Sequence, residues 1–237
     1  TVGSGGTYSD LSTWEAATDN DLVSTTTIER ALLLNQTFTL TAGLVVSGAT
    51  TNSSYYREIT TDAGASFVDN ANVRTNALTF NTANGAAITS TTAYVQPLVL
   101  LDEGYARLTK LQIRTTASTS YAVRIGANTQ VTQCIIDCNG VVYGGLELTN
   151  SGAVAHFSFN AYASNCTFVV PSGTAKATVG LRRGYPAAAT FTNCAVFGAT
   201  DFGGTTNTTY ANCYGDDASP PSGVTQVAFD ATTGSGF

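Results

Sequence analysis

The sequence predicts an all-β fold, a single-stranded parallel β-helix with a short N-terminal capping helix. Charged residues make up only 11% of the 237 residues, against 43% apolar residues. A surface built from Thr, Ser, Asn and Gly instead of Lys and Glu suits strands and turns better than helices. Short runs with a period of two follow one another along most of the chain, and a five-residue pattern containing cysteine recurs in its second half.

The first predicted unit, residues 1–26, is a lead followed by a capping helix. A segment rich in Gly, Ser and Thr precedes a helix predicted over residues 10–22. Ser12 and Glu15 have the spacing of a capping box, and Asp10 is the alternative N-cap.

The apolar face of this predicted helix comprises Leu11, Trp14, Ala17 and the methyl group of Thr18. Such a short helix is not stable alone and needs an apolar surface beneath it. A solenoid has an open apolar end that its terminal unit must cover. We therefore expect Leu11 and Trp14 to close the N-terminal mouth of the β-helix.

The second predicted unit, residues 27–215, is the β-helix itself. Apolar and polar residues alternate in it, as in Leu111 and Ile113 between Lys110, Gln112 and Arg114. The segments predicted to be strands are 38–48, 55–61, 76–82, 95–101, 107–115, 121–126 and 146–150. Since no helical stretch separates them, a doubly wound α/β fold is excluded.

An imperfect repeat within this unit indicates coils that stack on one another. Its copies are TQCII (132–136), SNCTF (164–168), TNCAV (192–196) and ANCYG (211–215). In each copy a small residue is followed by Asn or Gln and then by cysteine. In the first three copies an apolar residue lies two positions after the cysteine. The unequal spacing of the copies excludes heptads and fits coils whose loops vary in length.

We expect equivalent residues of the repeat to stack inside the β-helix. The predicted core stack comprises Cys134, Cys166, Cys194, Cys213, Ile136, Phe168 and Val196. Cysteine is compact and apolar, so all five cysteines, including Cys138, are expected to be buried free thiols, which fits assembly in a reducing cytoplasm. The amide before each repeat cysteine is expected near a strand edge, where it bridges to the next coil or to solvent. The third unit, residues 216–237, is a tail too short for another coil.

Charge excludes several kinds of partner. The net charge is −6, and the ten Lys and Arg residues are scattered. Nucleic acids and anionic membranes require clustered cations, so neither is an expected partner. No apolar run reaches the length of a transmembrane helix.

The sequence carries little catalytic or metal-binding signal, so no catalytic residue, metal or cofactor is expected. His156, the only histidine, is expected at the surface or rim. Glycoside cleavage requires two carboxylates, and Asp137 with Glu147 is the best pair for a groove. The remaining candidates are expected in turns: Asp102 and Glu103 in a solvated turn, and Asp216 and Asp217 where the chain leaves the β-helix.

Several segments resemble phage-associated right-handed parallel β-helix proteins of the pectate-lyase-like, tailspike-like superfamily. The similar segments are VGSGGTYSDLSTWEAAT (2–18), LVVSGATTNSSYYREITTDAG (44–64), FTNCAVF (191–197) and SGVTQVAFDATTGSGF (222–237). This resemblance implies right-handed coils, a place in a virion and, for the tailspike-like members, a trimer. The superfamily includes polysaccharide lyases, tailspike depolymerases and non-enzymatic proteins that stabilise capsids.

Three functions are therefore expected in order of preference. The first is a non-enzymatic capsid decoration protein, a homotrimer bound to the major capsid protein or another virion protein. The second is a tailspike-type protein that binds or depolymerises polysaccharide through Asp137 and Glu147. The third is a secreted bacterial polysaccharide lyase, which requires a signal peptide encoded upstream of Thr1.

Overall fold

The computed structural model describes residues 1–69, 80–90, 97–115, 121–126, 128–137, 144–148, 160–169, 180–181, 188–197, 208–215 and 222–226. These residues form two short helices, α1 (Leu11–Ala17) and α2 (Leu22–Thr25), and a series of strands in three sheets. Among the described strands every pairing is parallel, so the expectation of an all-β fold with parallel strands is confirmed.

Sheet 1 contains seven strands. They are β1 (Glu29–Leu33), β4 (Arg57–Thr61), β7 (Arg107–Thr109), β10 (Gln130–Thr132), β13 (Asn160–Ser164), β16 (Ala188–Thr192) and β18 (Thr208–Ala211). Sheet 2 contains β2 (Thr37–Thr39), β5 (Ala87–Ser90), β8 (Gln112–Thr115), β11 (Ile135–Asp137), β14 (Thr167–Val169), β17 (Ala195–Phe197), β19 (Cys213–Gly215) and β20 (Val224–Gln226). Sheet 3 contains β3 (Leu44–Val46), β6 (Val99–Leu101), β9 (Tyr121–Ile125), β12 (Gly144–Leu148) and β15 (Gly180–Leu181).

The described chain visits the three sheets in a fixed order. From β1 to β15 it passes through sheet 1, sheet 2 and sheet 3 in turn, and then begins the same circuit again. Within a sheet, each of these strands pairs with the strand from the next circuit. Parallel neighbours need such crossover connections, because a hairpin can join only antiparallel strands.

The core consists of columns of apolar side chains that follow the strand register. In sheet 2 the column comprises Phe38, Ile88, Ile113, Ile136, Phe168 and Val196. The last five of these are 0% exposed. In sheet 1 the column comprises Ala31, Ile59, Leu108, Val131, Ala163 and Phe191, which are all buried. The predicted core residues Ile136, Phe168 and Val196 thus lie in one column.

Each amide of the repeat occupies a left-handed corner between a strand of sheet 1 and a strand of sheet 2. The φ angles are 54° at Gln133, 53° at Asn165, 53° at Asn193 and 52° at Asn212. Asn tolerates this conformation better than most residues, which explains its recurrence. Lys110, between β7 and β8, has φ 60° and forms the same corner, so the predicted strand 107–115 is two strands.

Equivalent backbone hydrogen bonds connect the corners up to Asn193 to a strand of the next circuit. The corner N–H groups of Gln133 and Asn165 donate to Ser164 O at 2.9 Å and to Thr192 O at 3.0 Å. The amide expected to bridge between coils does so once among the described residues, where Asn193 Nδ2 donates to Asn165 Oδ1 at 3.2 Å. The ladder therefore continues through the corners and does not end at the strands.

Described residues of the connection between β4 and β5 pack over the outer face of sheet 2. Asn81 N–H donates to Gln112 Oε1 at 2.9 Å, and Gln112 is 0% exposed. Phe80 lies 4.1 Å beneath the Arg114 guanidinium. The prediction of a strand over 76–82 is wrong at its described end, where Thr82–Asn84 forms a 3₁₀ helix.

Two further sequence expectations need correction. The predicted helix over residues 10–22 is shorter, and α1 ends at Ala17 with Asp10, not Ser12, as its N-cap. Ala17 is exposed and is not part of the apolar face. The predicted strand 38–48 is divided between β2 and β3.

The predicted tail contributes one described strand. Within residues 216–237, β20 extends sheet 2 by pairing with β19. None of the helices in the described ranges combines the length and apolar character that crossing a membrane requires.

Candidate functional site

A buried charge cluster joins α1 to the strands beneath it. Arg57, at the start of β4, has a side chain that is 0% exposed. Its Nε donates to Glu103 Oε1 at 2.8 Å, and its Nη2 donates to Glu103 Oε2. Its Nη2 also donates to Ser47 O at 2.6 Å, while Nη1 donates to the carbonyl and carboxylate of Glu15 at 3.1 and 3.3 Å. All of the guanidinium nitrogens therefore have partners.

The electrostatics of this cluster keep Arg57 charged. Burial by itself lowers the pKa of Arg57, but the hydrogen bonds and negative charge of Glu103 outweigh it, and the pKa is raised above its ordinary value. Glu103 is itself 7% exposed and also accepts from Ala49 N–H at 3.3 Å. A buried cation that has lost its water needs a counter-ion and hydrogen-bond acceptors, because burying an unpaired charge is very costly.

The expectation that Glu103 lies in a solvated turn is wrong. Glu103 lies two residues after the end of β6, and its carboxylate faces Arg57 instead of solvent. The cluster links Ser47 after β3, Arg57 in β4 and Glu15 in α1, which come from three separate segments. Charge pattern alone does not pair residues 46 positions apart, so the sequence offered no signal for this contact.

The apolar side chains of α1 pack into the interior of the fold. Leu11 and Trp14, the predicted cap residues, are both 0% exposed and belong to the main hydrophobic cluster. Thr18 is 2% exposed, and its hydroxyl donates to Trp14 O at 2.9 Å. We call the assembly of α1 with Arg57 and Glu103 the N-terminal clamp.

The N-cap of α1 gives a first testable expectation. Asp10 Oδ1 accepts from Thr13 N–H at 2.8 Å, and hydrogen bonds from Thr13 and Ser9 lower the pKa of Asp10 below its ordinary value of 3.8. A lowered pKa stabilises the folded state above pH 3.8, and this contribution is lost as the pH falls through the folded value. Asp10→Ala is expected to lower the free energy of unfolding by about 1 kcal/mol at pH 7.

Urea unfolding of wild type and Asp10→Ala at a series of pH values measures this effect. The difference between the two proteins should shrink as the pH falls below about 4, since the wild-type carboxylate is then protonated. A difference that stays constant down to acid pH would contradict the role of the ionised carboxylate as the cap.

The outer face of sheet 1 changes from charged to neutral along the stack. Near its start, Arg30 Nε donates to Glu58 Oε2 at 2.8 Å, and Thr109 Oγ1 donates to Glu58 Oε1 at 2.9 Å. Arg107 lies 3.5 Å over the ring of Tyr56 and donates to its hydroxyl at 2.7 Å.

Further along the same face lies a shallow groove of about 270 Å³. Its lining residues are Gln130, Thr132, Ala163, Ser164, Thr190 and Thr192. Ser164 Oγ donates to Thr132 Oγ1 at 3.4 Å, so the hydroxyl groups of neighbouring strands are close together. The described lining contains hydroxyl, amide and methyl groups and no charged side chain. Such a surface can hydrogen-bond a neutral polar ligand.

The predicted carboxylate pair lies on two strands that follow one another along the chain, and the side chain of Glu147 is outside the described part of the structure. Asp137 lies in β11 of sheet 2, while Glu147 lies in β12 of sheet 3. Arg114 Nε and Nη2 donate to Asp137 Oδ2 at 2.9 and 2.6 Å, and Asp137 is only 7% exposed. Arg114 therefore covers the Asp137 carboxylate, and the expectation that Asp137 and Glu147 line a groove stays a prediction.

Other predicted chemistry falls outside the described residues. His156, Cys138, Asp216 and Asp217 are in this group. In the ranges that the structure describes, no three His, Cys, Asp or Glu side chains converge as metal ligands.

The four repeat cysteines form a column of free thiols. Cys134, Cys166, Cys194 and Cys213 are each at most 1% exposed. Each thiol donates to a carbonyl of the preceding circuit, as Cys166 Sγ does to Val131 O at 3.5 Å and Cys194 Sγ does to Ala163 O at 3.5 Å. Burial raises the pKa of Cys166 well above its usual value, and the neighbouring thiol raises that of Cys194.

These thiols are expected to be chemically inert in the folded protein. The thiolate is the reactive form. Burial denies reagents access to all four thiols, and the raised pKa of Cys166 and Cys194 also keeps those two thiols uncharged. Iodoacetamide at pH 8, followed by peptide mass mapping, should leave the four repeat cysteines unmodified until urea is added. Rapid alkylation of any of the four without denaturant would contradict the column.

Comparisons with protein-family models, with curated proteins and with solved structures find no match to this chain.

Proposed function

We propose that the three parallel sheets are the faces of one right-handed, single-stranded parallel β-helix, and that this rod is a structural protein of a larger assembly. The fixed order of the sheets and the inward columns support the coil. Right-handedness follows from the general rule that about 98% of parallel crossovers have that hand.

Within that class, the particular role proposed is that of a bacteriophage capsid decoration protein. The resemblance of residues 2–18 and 191–197 to phage β-helix proteins supplies the assembly. On the same resemblance we base three further parts of the proposal. The protein is a homotrimer, its partner is the major capsid protein or another virion protein, and its location is the virion.

The observation that carries this proposal is the continuity of the stack. Left-handed corners with φ between 52° and 60° recur at Lys110, Gln133, Asn165, Asn193 and Asn212. Backbone hydrogen bonds link each of these corners to the next circuit up to Asn193. A ladder without interruptions resists local opening, because no circuit can separate without breaking bonds to both neighbours. Such a rod suits a static, load-bearing role in a shell.

Binding to a shell would stabilise it by mass action. The test mixes the purified protein with phage heads that lack their decoration protein, followed by sedimentation and thermal rupture. The expected result is co-sedimentation at a fixed stoichiometry and a higher rupture temperature than that of untreated heads. Absence of both binding and heat protection would contradict the proposal.

A second function has one specific observation in its favour. The neutral groove between Gln130 and Thr192 suits hydrogen bonding to sugar hydroxyl groups, as a tailspike-type polysaccharide-binding or depolymerising protein requires. Here the test is a panel of bacterial surface polysaccharides, with turnover and binding measured for wild type, Asp137→Asn and Glu147→Gln. Turnover that disappears in either variant would favour this function over decoration. A panel without binding or turnover would eliminate it.

A further inference from the structure

At the N-terminal end of the stack, the outer edge of sheet 1 is covered by Val2, whereas that of sheet 2 is open. At sheet 1, Val2 N–H donates to Leu32 O at 2.9 Å and Leu34 N–H donates to Val2 O at 3.0 Å, so Val2 occupies the edge of β1. At sheet 2, β2 is the outermost strand and pairs only with β5. The two edges therefore differ although they lie at the same end of the stack.

The pairing of β2 with β5 determines which backbone groups of β2 face outward. Ala87 N–H donates to Gln36 O at 3.1 Å, and Leu40 N–H donates to Thr89 O at 2.8 Å. In a parallel ladder alternate residues face the same neighbour, so Gln36, Phe38 and Leu40 face β5. The N–H and C=O groups of Thr37 and Thr39 face the other way, and within the described residues they have no partner.

This edge is accessible. Thr37 and Thr39 are exposed residues on either side of Phe38, which is buried in the core column. A short exposed edge with free backbone groups is a template for an added strand. An added strand here would continue sheet 2.

The charge around this end specifies the partner. Residues 1–29 contain five acidic side chains and no Lys, Arg or His. Three of the acidic residues, Asp10, Asp19 and Asp21, are exposed. A second copy meeting this end through its own N-terminal end would bring like charges together, which is unfavourable. A basic segment would be attracted instead.

We propose that the open edge of β2 accepts an extended, lysine- or arginine-bearing strand of a partner protein by β-augmentation. Thr37 and Thr39 supply the backbone hydrogen bonds, and the acidic N-terminal segment supplies the charge selectivity. Only the identity of the partner, a subunit of the viral shell, rests on the proposed function. The binding chemistry does not depend on it.

The test uses a short synthetic peptide in which lysine alternates with valine or threonine, and a control peptide with glutamate in place of lysine. Binding is measured by fluorescence anisotropy for wild type, Thr37→Pro and Gln226→Pro. Proline at 37 removes an outward N–H that the fold does not use. Gln226 is the control position, an exposed residue of β20 at the opposite end of sheet 2. Cys213 N–H donates to Gly223 O, so Gly223 faces β19. Because alternate residues of a strand face the same neighbour, the backbone N–H of Gln226 faces outward, as that of Thr37 does.

The lysine peptide is expected to bind wild type and Gln226→Pro equally, and Thr37→Pro about tenfold more weakly. Its affinity should fall between about 0.05 and 0.5 M salt, because the attraction is between exposed charges. Amide hydrogen exchange at Thr37 and Thr39 should slow when the peptide binds.

Three results would overturn the inference. They are no binding of the lysine peptide, equal binding by wild type and Thr37→Pro, and equal binding of the glutamate peptide. Self-association that Thr37→Pro abolishes would also overturn it, since the occupant would be a second copy. Peptide binding without binding to heads would contradict only the decoration function, which keeps the two failures distinguishable.

Discussion

Arg57→Gln is expected to lower the free energy of unfolding by about 3–5 kcal/mol, because it leaves the buried carboxylate of Glu103 without its cation. The Arg57 side chain is 0% exposed and that of Glu103 is 4% exposed, so water cannot replace the lost hydrogen bonds. Unfolding in urea, followed by far-ultraviolet circular dichroism, measures the loss.

The chain provides a matched control in Arg30→Gln. Arg30 also forms an ion pair, with Glu58 at 2.8 Å, but its side chain is 48% exposed. Exposed pairs contribute only about 0–1 kcal/mol, so this variant should unfold close to wild type. Equal losses in the two variants would contradict the buried clamp.

A double variant separates the unpaired charge from the loss of packing. Arg57→Met combined with Glu103→Leu removes both charges and should be more stable than Arg57→Gln, since apolar replacements of buried ion pairs are often neutral. If the double variant is as unstable as Arg57→Gln, the loss of stability arises from lost packing and not from the unpaired carboxylate of Glu103.

Phe168→Asp is expected to prevent folding. Phe168 is 0% exposed and lies between Ile136 and Val196 in the sheet 2 column. Truncating a buried Phe costs about 3–5 kcal/mol, and a carboxylate without a partner adds to that cost. The sum approaches the whole stability of a typical domain, about 5–15 kcal/mol.

The control at the same position is Phe168→Leu, which keeps an apolar side chain and should cost about 1–2 kcal/mol. Circular dichroism and urea unfolding should show a cooperative transition for Phe168→Leu and none for Phe168→Asp. A Phe168→Asp protein that unfolds at the wild-type midpoint would place residue 168 outside the core.

The repeat was predictable because the constraints on its residues are local in the sequence. Cys166 and Phe168 are two positions apart and face the core, while Asn165 adopts the left-handed corner that Asn tolerates. These are short-range requirements, so they leave a pattern in the sequence. The corner at Lys110 has no amide and no cysteine, and its pattern is hidden because Lys and Leu are ordinary strand residues.

Other features were not predictable because they depend on contacts between distant segments. Glu103 and Gly104 have the composition of a solvated turn, and only the approach of Arg57 makes Glu103 a buried partner. In the same way, Arg114 covers Asp137 from a neighbouring strand. The open edge of β2 is also a property of the stack, since nothing in the residues of a single strand shows whether a neighbour pairs with it.

The most direct test of the stacked coil is a crystallographic anomalous difference map at a wavelength where sulfur scatters anomalously. The stack predicts peaks for Cys134, Cys166, Cys194 and Cys213 in one row, with neighbours separated by about the 4.8 Å spacing of strands. Peaks distributed among separate sheets, or pairs at the roughly 2 Å distance of a disulfide, would contradict the coil and the shell function proposed for it.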